Sequence, residues 1–196
     1  MIKFLIPLSL TFLLLSCGND KKQKELNQQT DLTSTIKSEK VEAFNTINAA
    51  IKASINDPNL YLKRANLYTK YGDISSAIDD LDRALKIDST APEYYLLKAA
   101  LLKREDNLKE AKAVLDKCMR IDNGNLKARI ELGWLALIAR NYKQALDYAD
   151  AVLKRDIYNA EAYFLKGMIF EDKRDTTRAI SSYITAIEQE NDYYEA

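Results

Sequence analysis

Paired acidic side chains are the residues whose types and spacing come nearest to a catalytic pattern. Two carboxylates can divide the work of general acid and general base when both face one substrate. Each pair here lies in a stretch of helical periodicity, where adjacent side chains point in different directions and cannot meet across a cleft. A solvated helix face is therefore the better interpretation. The pairs are Asp79 with Asp80, Glu171 with Asp172, and Glu188 with Glu190.

Other catalytic groups are missing from the sequence. The 196 residues contain no histidine, which excludes Ser-His and Cys-His relays and histidine-based zinc sites. No glycine-rich phosphate loop and no HExxH, CxxC or GxSxG motif occurs. Cys118 falls at a recurring small or compact position, which favours a core role over a nucleophile. We expect a protein that is not an enzyme and that holds no cofactor or metal.

The composition indicates an all-helical protein. Glycine (5) and proline (3) are scarce, and the common residues are good helix formers. Lys plus Arg (29) equals Asp plus Glu (29), so the formal net charge is zero. This balance argues against nucleic acid as a partner, because phosphate binding needs a basic surplus.

The first residues are typical of a secretion signal. A charged start at Lys3 precedes an apolar run over residues 4–15, which is shorter than the roughly 20 residues that span a bilayer but suits a signal peptide. The run ends in Leu14-Leu15-Ser16-Cys17-Gly18, which resembles the bacterial lipobox. That resemblance implies a signal peptide over residues 1–16, a palmitate-type anchor on Cys17, and an outer-membrane location facing the periplasm. The alternatives are an ordinary secretory signal that ends nearby and an N-terminal hydrophobic segment that is not cleaved. Residues 17–34 are almost wholly polar, and we expect a flexible tether.

A repeat of 34 residues dominates the rest of the chain. Three columns of small or compact residues predict places where two helices cross closely: Ala65, Ala99, Gly133 and Gly167; Ala77, Ala111, Ala145 and Ala179; and Ala84, Cys118, Val152 and Ala186. A fourth column holds Asp or Asn before a second amphipathic run, which predicts N-caps: Asp73, Asn107, Asn141 and Asp175.

These columns resemble the tetratricopeptide repeat (TPR), a helix-turn-helix unit. The resemblance implies an all-α fold, a right-handed α-solenoid, with units at 58–91, 92–125, 126–159 and 160–193. Residues 35–57 are expected to form an N-terminal half-repeat helix, and residues 194–196 to begin a possible further unit. The third unit departs from the family, because Arg129 and Ala149 stand where bulky residues are usual.

The resemblance also implies a concave groove lined by unit positions 5, 9, 12 and 13. Read along the chain, these positions begin basic, become apolar in the third unit and end acidic. A contiguous exposed apolar surface usually marks an interface, and tryptophan is a frequent hot-spot residue. The predicted partner-binding residues are Lys70, Leu96, Lys103, Arg104, Ile130, Trp134, Leu137, Ile138, Phe164, Met168, Glu171 and Asp172.

A lipid-anchored periplasmic scaffold that binds a protein or peptide in its groove is the leading functional hypothesis. It resembles small TPR lipoproteins that recruit cell-wall enzymes or assist cell-envelope assembly. A glycan- or nutrient-binding lipoprotein of an uptake system is the alternative, because Trp134 and Phe164 could stack on sugar rings. Homodimerisation would be another way to cover the apolar groove residues.

Overall fold

The computed structural model describes residues 37–191. The described residues divide into two compact units at residue 50, and helix α1 occupies residues 37–53. Residues 1–36 lie outside the described residues; they hold the predicted signal peptide, Cys17, the whole predicted tether and the first two residues of the predicted half-repeat helix. Residues 192–196, which hold the start of the possible further unit, also lie outside them. Among the described helices, none combines the length and the apolar character that crossing a membrane requires.

The unit that begins at residue 50 is built from helix pairs. Each helix contacts the next along the chain, and α6 also contacts α8. Residues 37–191 contain no strand, which confirms the predicted all-α class. The helices are α2 (Pro58–Lys70), α3 (Ile74–Ile87), α4 (Pro92–Arg104), α5 (Leu108–Ile121), α6 (Leu126–Ile138), α7 (Tyr142–Leu153), α8 (Ala160–Asp172) and α9 (Thr176–Asn191).

The second helix of each pair begins at a side-chain cap, as predicted. The side chain of Asp73 accepts a hydrogen bond from the backbone N–H of Ser76 at 3.1 Å. Asn107, Asn141 and Asp175 make the same bond three residues ahead, at 3.2 to 3.3 Å. Each cap satisfies one of the amide groups that a helix start leaves without a partner.

A residue in the left-handed region closes the first helix of each pair. The residues are 34 apart, and their φ angles are +81° at Gly72, +56° at Asp106, +55° at Arg140 and +59° at Arg174. The amide that follows each of them donates back to a carbonyl of the last helical turn, for example Asn107 N to Leu102 O at 2.8 Å. This pattern ends the helix, and the next residue is the N-cap of the second helix.

The three small-residue columns lie in the core, as predicted. Ala77, Ala84 and Cys118 are fully buried, and Gly133 and Gly167 are buried as well. Larger residues at these points would hold the paired helices apart. Burial raises the pKa of the Cys118 thiol, which disfavours the reactive thiolate and fits a packing role.

Arg129 takes over a contact that tyrosine makes in the earlier units. Tyr61 and Tyr95 each donate from the hydroxyl to the carbonyl six residues earlier, at 2.9 Å. Arg129 donates from Nη2 to the carbonyl of Asn123, also six residues earlier, at 2.7 Å. The divergent third unit therefore keeps the tie between its first helix and the preceding turn, with a guanidinium in place of a phenol.

Candidate partner-binding surface

Three aromatic side chains form an aromatic row across α6, α8 and α9: Trp134, Phe164 and Tyr183. The ring centroids of Trp134 and Phe164 are 5.9 Å apart, and those of Phe164 and Tyr183 are 5.5 Å apart. Both pairs are tilted, which aromatic quadrupoles favour over face-to-face stacking. Phe164 is 47% exposed, whereas Trp134 packs partly against the core. The core therefore holds Trp134 in place, whereas the Phe164 ring at the centre of the row is accessible to a partner.

Gly167 allows Tyr183 to join this row. A Cβ atom at position 167 would lie 2.4 Å from Cε1 of the Tyr183 ring, well inside van der Waals contact. The ring thus lies directly on the backbone of α8. Tyr183 was not among the predicted groove residues, since it belongs to the second helix of its unit. The glycine 16 residues earlier is the sequence feature that accommodates it.

Ile130 corrects the predicted surface. We expected this side chain to be exposed in the groove, but it is only 1% exposed. It belongs to a buried cluster with Ala162, Leu165 and Ile169 of α8. Because α8 packs across this part of α6, Ile130 is a core residue, and the prediction of its exposure is wrong.

The other apolar groove residues are exposed to different degrees. Ile138 is 57% exposed and Met168 is 36% exposed. Leu137 is partly buried against the same cluster as Trp134, and Leu96 is partly buried against the cluster one unit earlier. The apolar surface that a partner can reach at the aromatic row is therefore centred on Phe164 and Met168 beside Trp134, and Ile138 lies one helical turn beyond Trp134 on α6.

The basic residues of the predicted groove are not equivalent. The ammonium of Lys103 forms an ion pair with Glu131 on α6, which neutralises its charge. Lys70 lies over the ring of Tyr71, with Nζ 5.6 Å from the ring centroid, and is exposed along with Arg104. The accessible positive charge of the groove is thus carried by Lys70 and Arg104.

Tyrosine hydroxyls hold both acidic residues at the opposite end. Tyr142 donates from Oη to Oδ2 of Asp172 at 2.7 Å, and Tyr183 donates to the carboxylate of Glu171. Burial, followed by the hydrogen bond to Glu171, raises the pKa of Tyr183 to about 12. The hydroxyl therefore stays protonated and remains a donor at neutral pH. The positions of both carboxylates are therefore held by side chains of helices α7 and α9.

Comparison with known families identifies the repeat. Sequence models of the tetratricopeptide repeat match residues 58–90, 92–125 and 130–195. Together these segments cover more than half of the chain. The chain therefore belongs to the tetratricopeptide repeat family. Repeat stacks of this class form extended concave surfaces that serve as scaffolds for binding proteins or peptides.

Solved structures show the same architecture. A crystal structure of MamA matches with a TM-score of 0.69 and 18% identity over 94% of this chain and 100% of that one. YrrB, described as a TPR protein with an unusual peptide-binding site, matches at 0.62 and 20% over 84% of each chain. PilF of Pseudomonas aeruginosa matches at 0.67 and 14% over 86% of this chain and 77% of that one. At these identities the likeness establishes the fold, an all-α solenoid, as predicted. No curated protein matches the chain in sequence.

Proposed function

We propose that this chain is a membrane-anchored TPR scaffold of the periplasm that binds a protein partner beside the aromatic row. Its partner would belong to cell-envelope assembly or be a cell-wall enzyme that the scaffold recruits. The observation that carries the proposal is the exposed apolar surface of Phe164 and Met168 beside Trp134, with Ile138 one helical turn further along α6. Exposed apolar side chains that cluster in this way usually mark an interface.

The surroundings of this surface favour a partner segment with an apolar centre. Rigid aromatic rings supply contact area at low conformational cost, and such residues carry much of the binding energy in interfaces. Lys70 and Arg104 are exposed towards one end, and Glu171 and Asp172 towards the other. A helix or extended peptide with apolar residues in the middle and opposite charges at its ends would complement this pattern.

Substitution of Trp134 by alanine is expected to remove the partner. Truncating a central aromatic anchor typically costs about 2 kcal/mol or more of binding energy, because Phe164 then loses the ring against which it packs. Affinity capture from cells, followed by mass spectrometry, measures the loss. Ile138→Asp provides a second variant, since its exposed side chain leaves the core intact.

Ile121→Ala is the matched control for these variants. It removes an apolar side chain that is 42% exposed on α5, a helix that carries no residue of the aromatic row. Circular dichroism would establish that all three variants are folded. Identical partner lists for the wild-type protein, Trp134→Ala and Ile138→Asp would exclude the proposed surface.

The lipid anchor has a test of its own. Cys17→Ser is expected to abolish incorporation of labelled palmitate and to release the protein from membranes, since acyl chains supply roughly 0.8 kcal/mol for each buried methylene group. Cys118→Ser is the matched control, because this second cysteine is buried in the core. Labelling that persists in Cys17→Ser would contradict the anchor without affecting the proposed binding surface.

A further inference from the structure

The outer face of α9 presents a stripe of isoleucines. Ile180, Ile184 and Ile187 are 54%, 51% and 58% exposed, and their spacing of four and three residues places them on one face of the helix. In each of the three earlier units, the first helix of the following unit packs on the second helix: α4 contacts α3, α6 contacts α5, and α8 contacts α7. The α9 stripe is therefore the kind of surface on which a helix packs in this fold.

Ile184 distinguishes α9 from the earlier second helices. The corresponding residues, at intervals of 34, are Asp82, Asp116 and Asp150. Asp82 accepts a hydrogen bond from Lys98 at 2.6 Å, and Asp150 accepts one from Lys166 at 2.7 Å. Both lysines occupy the same position of the following first helix. These ion pairs fix where that helix crosses, whereas α9 offers an apolar side chain at the same point.

A cleft of about 850 Å³ adjoins the end of this stripe. Tyr158, Phe164 and Ile187 supply its large apolar side chains. Within the described part of the chain, its lining carries the carboxylates of Asp156, Glu161 and Glu190 and no lysine or arginine. We call this cleft together with the isoleucine stripe the terminal socket.

The charge of the terminal socket differs from that of the place one unit earlier. Lys127 and Arg155 stand 34 residues before Glu161 and Gln189, so two cationic positions have become one acidic and one neutral position. A ligand that fits the terminal socket must therefore bring positive charge to its rim and apolar side chains to its floor.

We propose that the terminal socket binds an amphipathic helix of a partner protein whose apolar face is flanked by lysine or arginine. The packing of α8 on α7 shows the form of this contact, because Ala162, Leu165 and Ile169 of α8 are fully buried there. At the position of Lys166 the partner helix carries an apolar residue, which meets Ile184. Helix-in-groove recognition reads spacings of this kind. This surface adjoins the one assigned under the proposed function and shares Phe164 with it, but its isoleucine stripe and its acidic rim are not part of that surface.

Two synthetic peptides test the charge requirement on the full chain. Both keep the sequence of residues 159–173 with leucine at the position of Lys166. The basic peptide has lysine in place of Glu161, Glu171 and Asp172, and the acidic peptide keeps the acids. Fluorescence anisotropy at low salt is expected to show at least about tenfold tighter binding of the basic peptide, with a smaller ratio at high salt because ions screen exposed charges.

The position of the bound helix along α9 is tested by changing Ile184 of the chain and the peptide residue that faces it, at the position of Lys166. The wild-type chain is expected to prefer the basic peptide with leucine over the same peptide with lysine retained. Ile184→Asp recreates the Asp82 and Asp150 positions, so its preference is expected to reverse by about fivefold or more, as a direct charge pair would give. Ile184 is half exposed, and this substitution leaves the core unchanged.

Two further measurements separate this proposal from the surface at the aromatic row. Ile138→Asp is expected to bind the basic peptide as the wild type does, and Ile184→Asp is expected to keep the partner that Trp134 captures. Equal binding of the two peptides, or an unchanged preference in Ile184→Asp, would overturn the proposal. A dimer of the chain that Ile184→Asp dissociates, with no peptide bound, would also overturn it and assign the face to a second copy.

Discussion

Asp80→Ala is expected to lower the free energy of unfolding by about 3–5 kcal/mol, the usual cost of leaving a buried charge without its partner. Arg64 donates to Asp80 twice, from Nε at 2.6 Å and from Nη2 at 2.7 Å. The Asp80 side chain is 3% exposed and that of Arg64 is 13% exposed. Removal of the carboxylate leaves the guanidinium without these two hydrogen bonds in the interface between α2 and α3. Urea denaturation followed by circular dichroism measures the loss.

Two matched variants show whether burial is the cause. Asp116→Ala breaks the pair between Lys112 and Asp116, whose side chains are 49% and 37% exposed, and exposed pairs contribute at most about 1 kcal/mol. The double variant Arg64→Met/Asp80→Leu removes both charges and is expected to stay within about 1–2 kcal/mol of the wild type, or above it. Equal losses for Asp80→Ala and Asp116→Ala would contradict the argument.

The features that the sequence predicts well are those with local causes. Asp73 and its three equivalents cap helices through a bond three residues away, so their spacing alone identifies them. The small columns are also readable, because a close helix crossing restricts residue size at a fixed position in every unit. The helix pairs and the all-α class follow from these two signals.

The candidate site is less predictable from the sequence. The position of a residue within a repeat indicates which way its side chain faces, but it does not indicate whether a neighbouring unit buries that side chain. Ile130 and Phe164 occupy the same position of successive units, yet Ile130 is buried beneath α8 and Phe164 is 47% exposed. The sequence likewise predicts that Lys103 is an accessible positive charge, but in the structure it forms an ion pair with Glu131 of α6. These contacts depend on the neighbouring unit, and a single unit's sequence does not contain them.

Tyr183 illustrates the same limit from the opposite direction. Its position belongs to the second helix, which family resemblance assigns to packing, and packing on Gly167 is what the structure shows. The same ring also reaches Phe164 and donates to Glu171. A residue of the second helix can thus contribute to both the core and the binding surface when a glycine on the neighbouring helix leaves room for its ring.

Leu165→Ala is expected to lower the free energy of unfolding by about 2–5 kcal/mol, the range for truncating a fully buried leucine. Leu165 is 0% exposed and lies where α8 crosses α6, in the cluster that contains Ile130. Truncation leaves a cavity at the junction of the third and fourth units. Thermal or urea unfolding of the variant measures the effect.

A second substitution, Gly133→Ala, tests whether α6 and α8 cross as closely as the structure indicates. A Cβ atom at position 133 would lie 2.6 Å from Cδ2 of Leu165, so Gly133→Ala must displace a leucine that its neighbours hold. In the Leu165→Ala background the new methyl group enters vacated space, whereas its gain of about 1 kcal/mol in helix propensity is the same in both backgrounds. Gly133→Ala is therefore expected to be more favourable there than in the wild type by about 1–2 kcal/mol, a coupling typical of residues in contact. Additive effects of the two substitutions would show that α6 and α8 do not meet at this point.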